Sequence, residues 1–138
     1  MEKLGKGRIV YGDDVESLVF DWGILKFLSE PAVTEAERFS FGMVVLEPGK
    51  GHDRHNHPGV EEIIYVVSGE GEQMIDDQGP VRVRPGASMY IPPDVFHSTI
   101  NTGWEPLRLL VIYSPTGPER GLRELPGCEV LPPGIVPA

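Results

Sequence analysis

Four side chains in this sequence have the types and spacing of a metal site. His55 and His57 stand two positions apart, Glu62 follows His57 five positions later, and His97 comes from a distant stretch. Neutral imidazole nitrogens and a carboxylate oxygen are ligands for divalent Mn, Fe, Co, Ni or Zn, at roughly 2.0–2.2 Å in the case of zinc. Alternate side chains of an extended strand share a face, so His55 and His57 can approach one ion from one backbone segment. Pro58-Gly59 supplies a turn that lets Glu62 swing back on the neighbouring strand. Glu61 is the rival carboxylate.

The elements that must hold these groups read as short strands separated by turns. Among 138 residues there are 17 Gly and 14 Pro, a punctuation that suits many strands better than a few long helices. Arg8–Tyr11 is a first strand, after loosely held residues 1–7. Ser17–Leu28 is two short strands or one strand bent at Gly23. Thr34–Glu37 has room for one helical turn. Arg38–Glu47 alternates Phe39, Phe41, Met43 and Val45 on one face with Ser40, Gly42, Val44 and Leu46 on the other. Both faces are apolar, as expected where one lines a barrel and the other meets a second layer or subunit.

Glu62–Val67 is followed by a hairpin of Glu72–Ile75 and Val81–Arg84, joined by a slightly long loop, Asp76–Pro80. Ser88–Ile91, Phe96–Ile100 and Leu107–Tyr113 are further strands. Pro118–Leu125 is a short helix with Pro118 in its first turn, and the tail from Leu131 is irregular. The expected fold is all-β: one domain over 1–138, with a barrel core at about 39–113, N-terminal strands within 8–28 and a C-terminal extension over 114–138.

Composition excludes several partners. A formal charge of −9 with no compensating basic run argues against nucleic acid and against an anionic membrane surface. No apolar run reaches signal-peptide or membrane-spanning length. With one cysteine, Cys128, there is no intrachain disulfide, so a reducing cytoplasmic setting is the default expectation.

The spacing Gly49-x5-His55-x-His57-x4-Glu62-x6-Gly69 resembles the first motif of the cupin superfamily, and Gly86-x5-Pro92 followed by His97-x3-Asn101 resembles its second. Asp94 stands where cupins usually carry glycine, and Asp tolerates the left-handed backbone region better than most residues. Sixteen residues lie between Gly69 and Gly86, a short spacer of the kind small cupins have. The resemblance implies a double-stranded β-helix, or jelly-roll barrel, in which His55, His57, Glu62 and His97 bind a divalent transition metal. It makes Asn101 structural. Glu62 is preferred to Glu61 because it alone lies in register with Gly69.

The resemblance also implies an enzyme acting on a small oxygen-rich molecule, with a dioxygenase as the nominal class beside decarboxylases, isomerases and lyases. The alternative is a non-catalytic module that binds or senses a small ligand. A storage role is a third reading. His52, three residues before His55, and Tyr113, on the strand face of Leu107, Leu109 and Val111, are the candidates for acid–base work. Their ordinary roles are a solvated loop histidine and a barrel-wall aromatic. Phe39, Phe41 and Met43 are expected in the core or pocket wall, and Trp22 and Trp104 at an interface. A homodimer is expected, paired through the N-terminal strands.

Overall fold

The computed structural model describes residues 1–137. Its strands are β1 (Glu2–Leu4), β2 (Gly7–Ile9), β3 (Ser17–Phe20), β4 (Gly23–Ser29), β5 (Ser40–Leu46) and β6 (Glu61–Ser68). They continue as β7 (Gly71–Ile75), β8 (Gln78–Val83), β9 (Ser88–Ile91), β10 (His97–Asn101), β11 (Leu107–Ser114) and β12 (Glu129–Leu131). The two short helices are α1 (Pro31–Thr34) and α2 (Pro118–Arg123), each with proline in its first turn.

The fold is an all-β jelly-roll barrel. A seven-stranded sheet runs β12-β3-β4-β5-β11-β6-β9, and a three-stranded sheet runs β10-β7-β8. The segment after β5 lies beside β10, where Gly51 pairs with Ile100 and His55 with His97. Leu46, Val66, Ile91, Leu107 and Leu109 are buried between the sheets. At about 25 cal/mol per Å² of apolar surface removed from water, residues of this size are the main favourable contribution to folding.

Two glycines permit close approaches that set the barrel's shape. A Cβ on Gly23 would lie 2.2 Å from the Val45 carbonyl oxygen, so only glycine allows β4 to start against β5 there. A Cβ on Gly51 would lie 2.2 Å from the Thr99 carbonyl oxygen, which holds the histidine segment against β10.

Several expectations change in detail. Ser17–Leu28 is two strands, with Gly23 opening the second. Residues 1–7 are not merely a loose lead-in: β1 and β2 form an antiparallel hairpin, and the terminal amine lies 2.6 Å from Asp14. The helical turn near residue 34 is centred earlier, where Pro31 presets the first turn. The β7–β8 loop is shorter than expected, because Ile75 pairs directly with Gln78 across Asp76-Asp77 and Asp76 adopts φ 59°. Glu129–Leu131 pairs with β3 at the sheet edge, so the irregular tail begins after Leu131.

The alternation in β5 also runs opposite to the expectation for its large residues. Ser40, Gly42, Val44 and Leu46 face the interior, whereas Phe41, Met43 and Val45 face outward and Phe39 is exposed. Among the described residues no helix is long and apolar enough to cross a membrane.

Candidate metal centre

Each ligand-type side chain is placed by backbone. His55 donates its amide to the His97 carbonyl at 3.0 Å and accepts the His97 amide at 2.8 Å. These reciprocal bonds fix two imidazoles side by side, with ring centroids 4.3 Å apart. The Val60 amide then bonds the His57 carbonyl at 3.1 Å and closes the turn over Pro58-Gly59. Glu62 follows on β6, opposite Ile91 and Tyr113, on the inward face. Glu61 faces outward, where it accepts the Tyr90 hydroxyl at 2.5 Å.

Asp94 has φ 70°, the left-handed conformation expected of the residue replacing glycine. It also performs work no glycine side chain can do. Its Oδ1 accepts the Gly59 amide at 3.0 Å, and its backbone carbonyl, which any residue would offer, accepts the Asn56 side-chain amide at 3.1 Å, so both tie the second motif to the histidine turn. Asn101 has the structural part its resemblance implied. Its amide nitrogen donates to the Leu46 and Glu105 carbonyls, and its oxygen accepts the Gly103 amide.

One ligand atom from each of His55, His57, Glu62 and His97 falls within 4.8 Å of the others. The tautomers are set from behind. Nδ1 of His55 contacts the Asp53 carbonyl at 2.6 Å and Nδ1 of His97 contacts the Val95 carbonyl at 3.0 Å. A carbonyl only accepts, so each Nδ1 carries the hydrogen and each Nε2 is left as an acceptor. Glu62 Oε1 nevertheless lies 2.9 Å from His97 Nε2 and 3.4 Å from His57 Nε2. His57 Nε2, His97 Nε2 and Glu62 Oε1 are all buried without an aligned hydrogen bond. The neutral His97 Nε2 and Glu62 Oε1 are both acceptors, and at this distance they repel unless a cation, or a proton on the imidazole, lies between them. The donor set therefore fits a divalent transition ion.

Electrostatics agree with that fit. Burial, then the neighbouring His52 and His97, lowers His55 to about 3. Burial, then His97 and His52, lowers His57 to about 4. Both imidazoles are neutral at pH 7 and available as ligands. Burial lowers His97 as well, but its contact with Glu62 outweighs this and the net direction is up. Burial raises Glu62 against the opposing pull of His97.

The cluster opens on a cavity of about 50 Å³, enough for on the order of four waters at ~10–15 Å³ each. Leu25, Val44, Leu46, Ile64, Leu109, Val111 and Leu122 make nearly half of its lining, and among the described residues no Lys or Arg lines it. Tyr113 is buried there, its ring 5.1 Å from that of His57, and burial raises its hydroxyl well above the ordinary value. His52 is not a solvated loop residue. It is half-buried, 4.0 Å from the His55 ring, and burial lowers it.

Sequence reasoning misplaced two sets of aromatic and apolar residues. Trp22 lines the cavity, stacked on Phe20 at 4.6 Å and packed on His52 at 4.8 Å. Its position after β3 gave no signal of this, because the contact forms only once the β3–β4 turn folds over the histidine segment. Phe41 and Met43 are absent from the cavity wall, and Val44 and Leu46 take their place. Trp104 is exposed.

The barrel and its histidine cluster define a class of jelly rolls whose interior could hold a metal, and sequence comparison narrows it. Residues 42–113 match the family described as Cupin domain, and the chain belongs to that family. It is 35% identical over 117 residues to Protein SchB of Streptomyces halstedii, covering 85% of this chain and 84% of that protein. It is 32% identical over 123 residues to Polyketide synthase CurC of Streptomyces cyaneus, covering 88% and 78%. The solved structure of the polyketide cyclase RemF from Streptomyces resistomycificus superposes with a TM-score of 0.68 at 24% identity, covering 78% of each chain.

Proposed function

We propose that this chain is a metal-dependent enzyme that transforms a small, largely apolar molecule through its carbonyl or enol oxygens. His55, His57, Glu62 and His97 are the metal ligands of this reading, and the ion is a divalent transition metal. The observation that carries it is the cavity. Buried unpartnered polar atoms converge at one end, the rest of the wall is largely aliphatic and aromatic, and among the described residues no Lys or Arg is present to receive a phosphate or a free carboxylate. This narrows the oxygen-rich substrate expected from sequence to one whose oxygens are few and uncharged. The metal, when bound, supplies Lewis-acid polarisation of a carbonyl.

The chain's own residues divide the remaining tasks. The aliphatic wall excludes water and orients the carbon skeleton. Trp22 offers a flat face to an unsaturated substrate. Tyr113 keeps its proton at neutral pH and donates a hydrogen bond to a substrate oxygen. His52, held neutral by burial, accepts a proton from carbon or oxygen. The small volume admits one oxygen-bearing end at a time.

A polyketide-type substrate is supported by the relative named a polyketide synthase, which is matched over most of its length. Cyclisation through an enolate is accordingly favoured over the dioxygenase chemistry expected from sequence. The test is incubation of the metal-loaded protein with β-diketones and linear poly-β-ketones, followed by chromatography and an oxygen electrode. Cyclised product without oxygen uptake is the expected result. Oxygen uptake that tracks iron loading selects the dioxygenase, and calorimetric binding without any product selects the non-catalytic ligand-binding module. The assembly that goes with this reading is a homodimer.

A further inference from the structure

We infer that Leu122 determines specificity: it closes the inner end of the cavity and limits the carbon arm that a substrate can send inward from its carbonyl. The inference rests on the proposed reading of that cavity as a substrate site.

Register sets the two ends of the cavity apart. Trp22 precedes Gly23, which pairs with Leu46 at one end of β5. Ser40 stands at the other end of β5, opposite Tyr113. At about 3.3 Å per residue, those ends are roughly 20 Å apart. Ser40 donates its hydroxyl to Glu119 at 2.9 Å, so α2 lies over the end remote from Trp22. Leu122 follows Glu119 by three positions and shares its helix face. Both are buried, and Leu122 lines the cavity.

The opposite end is the open one. Among the described residues of the lining, only Trp22, His52, His55 and His57 are partly exposed. A ligand therefore enters along the histidine segment, and whatever it directs inward runs towards α2. The other aliphatic groups of the wall stand on the paired strands β4, β5, β6 and β11, whereas Leu122 comes from a helix laid across the end. That helix is tied down. Arg123 donates to Glu30 at 3.0 Å and to the Glu119 carbonyl at 2.9 Å, and the Gly117 amide donates to Glu119 at 2.9 Å. Leu122 is thus a fixed stop.

The stop bears on the class of substrate. At about 50 Å³ the cavity is well short of the ~150 Å³ that accommodates one benzene. It takes a carbonyl with a short acyclic arm, and the rest of a longer chain stays at the mouth against Trp22.

Calorimetric titration of the zinc-loaded full chain with acetone, diethyl ketone, dipropyl ketone and dibutyl ketone tests this. One arm of a symmetrical ketone must point inward whichever way the molecule lies. Affinity is expected to rise about fourfold for each methylene the inner arm buries, and to fall once that arm meets Leu122. Leu122→Ala should move this break about two members along the series and Leu122→Val about one. Leu122→Phe should move it towards the shorter ketones. Zinc content and far-ultraviolet circular dichroism should be unchanged, and the Val and Phe variants decide the matter if Leu122→Ala does not fold. Affinity that climbs through the whole wild-type series, or a break that stays in place in the folded variants, overturns the stop. If binding still requires zinc in that case, the proposed function stands. A break that moves as expected, equally with and without zinc, upholds the stop and overturns the part given to the metal. No binding by any of the ketones overturns both.

Discussion

Two buried polar clusters in this molecule are built in opposite ways. Around α2, each buried carboxylate has a donor. Glu119, wholly buried, accepts the Ser40 hydroxyl and the Gly117 amide, both at 2.9 Å. Glu30 accepts Arg123 at 3.0 Å, and Arg123 also bonds Glu16 and the Glu119 carbonyl. In the cavity, Glu62 Oε1 and the Nε2 atoms of His57 and His97 face one another, buried and without an aligned hydrogen bond. The first cluster is complete in the chain alone and fixes how α2 covers the barrel. The second is left incomplete by the chain, and an ion is what the proposed metal site would take to complete it.

Substituting the ligands should have the largest effect. Glu62→Gln and His55→Ala should each lower metal affinity by more than the ~10–100-fold typical of losing a group that only orients a ligand. Elemental analysis and competition with a chelator measure this. Metal content unchanged in both variants would break the comparison. The metal-free Glu62→Gln protein should also be at least as stable as metal-free wild type, since it loses a poorly compensated buried charge.

Arg123→Ala should act in the opposite sense, with metal content preserved and stability reduced. Breaking a buried pair while leaving Glu30 behind costs about 3 kcal/mol, readable by denaturant titration. A loss of metal without a loss of stability would reverse the roles assigned to the two clusters.

Acid should distinguish them further. In metal-free protein, His55 is lowered from 6.5 to about 3 and His57 from 6.5 to about 4. The unfolded chain therefore binds more protons across that window, and stability falls as pH drops from 6.5 towards 4. His97, raised by Glu62, contributes in the other direction, its stabilisation being lost as pH rises through its folded value. His52 is lowered as well, while Glu62, raised by burial, works with His97, so three lowered groups against two raised ones give a net loss in acid. Melting temperatures of the metal-free protein between pH 4 and 8 check the slope, and ligand variants should flatten it.

The smallest effect is expected at Asp94. Asp94→Gly relieves a left-handed backbone but loses the bond to the Gly59 amide, two terms of about 1 kcal/mol each that nearly cancel. Asp94→Ala keeps the strain and loses the bond, so it should be the less stable variant by thermal melting.

The cluster of His55, His57, Glu62 and His97 was legible because the glycines, prolines and histidines around it hold a register that a linear reading can count. The tolerance of Asp94 for positive φ was legible for a similar reason, since it follows from one residue's chemistry. The orientation of β5 was not. Both of its faces are apolar, so a period of two separates Phe41 from Val44 without saying which one enters the barrel. Trp22 was hidden because its neighbours in space, Phe20 and His52, straddle a turn and a long separation in sequence. Strand β12 was hidden because three residues next to a proline-rich tail form a strand only by pairing with the free edge of β3.

In the proposed metal site, the paired amides of His55 and His97 would make the grip on an ion a property of the main chain. Two ligands from distant segments are joined by the same two hydrogen bonds that lay the segment after β5 against β10. An ion bound there would leave quickly only when that backbone seam opens, because opening withdraws two imidazoles at once. Exchange of the His55 and His97 amides with solvent deuterium would then keep time with metal release, and a bound ion would act as a latch on the barrel wall.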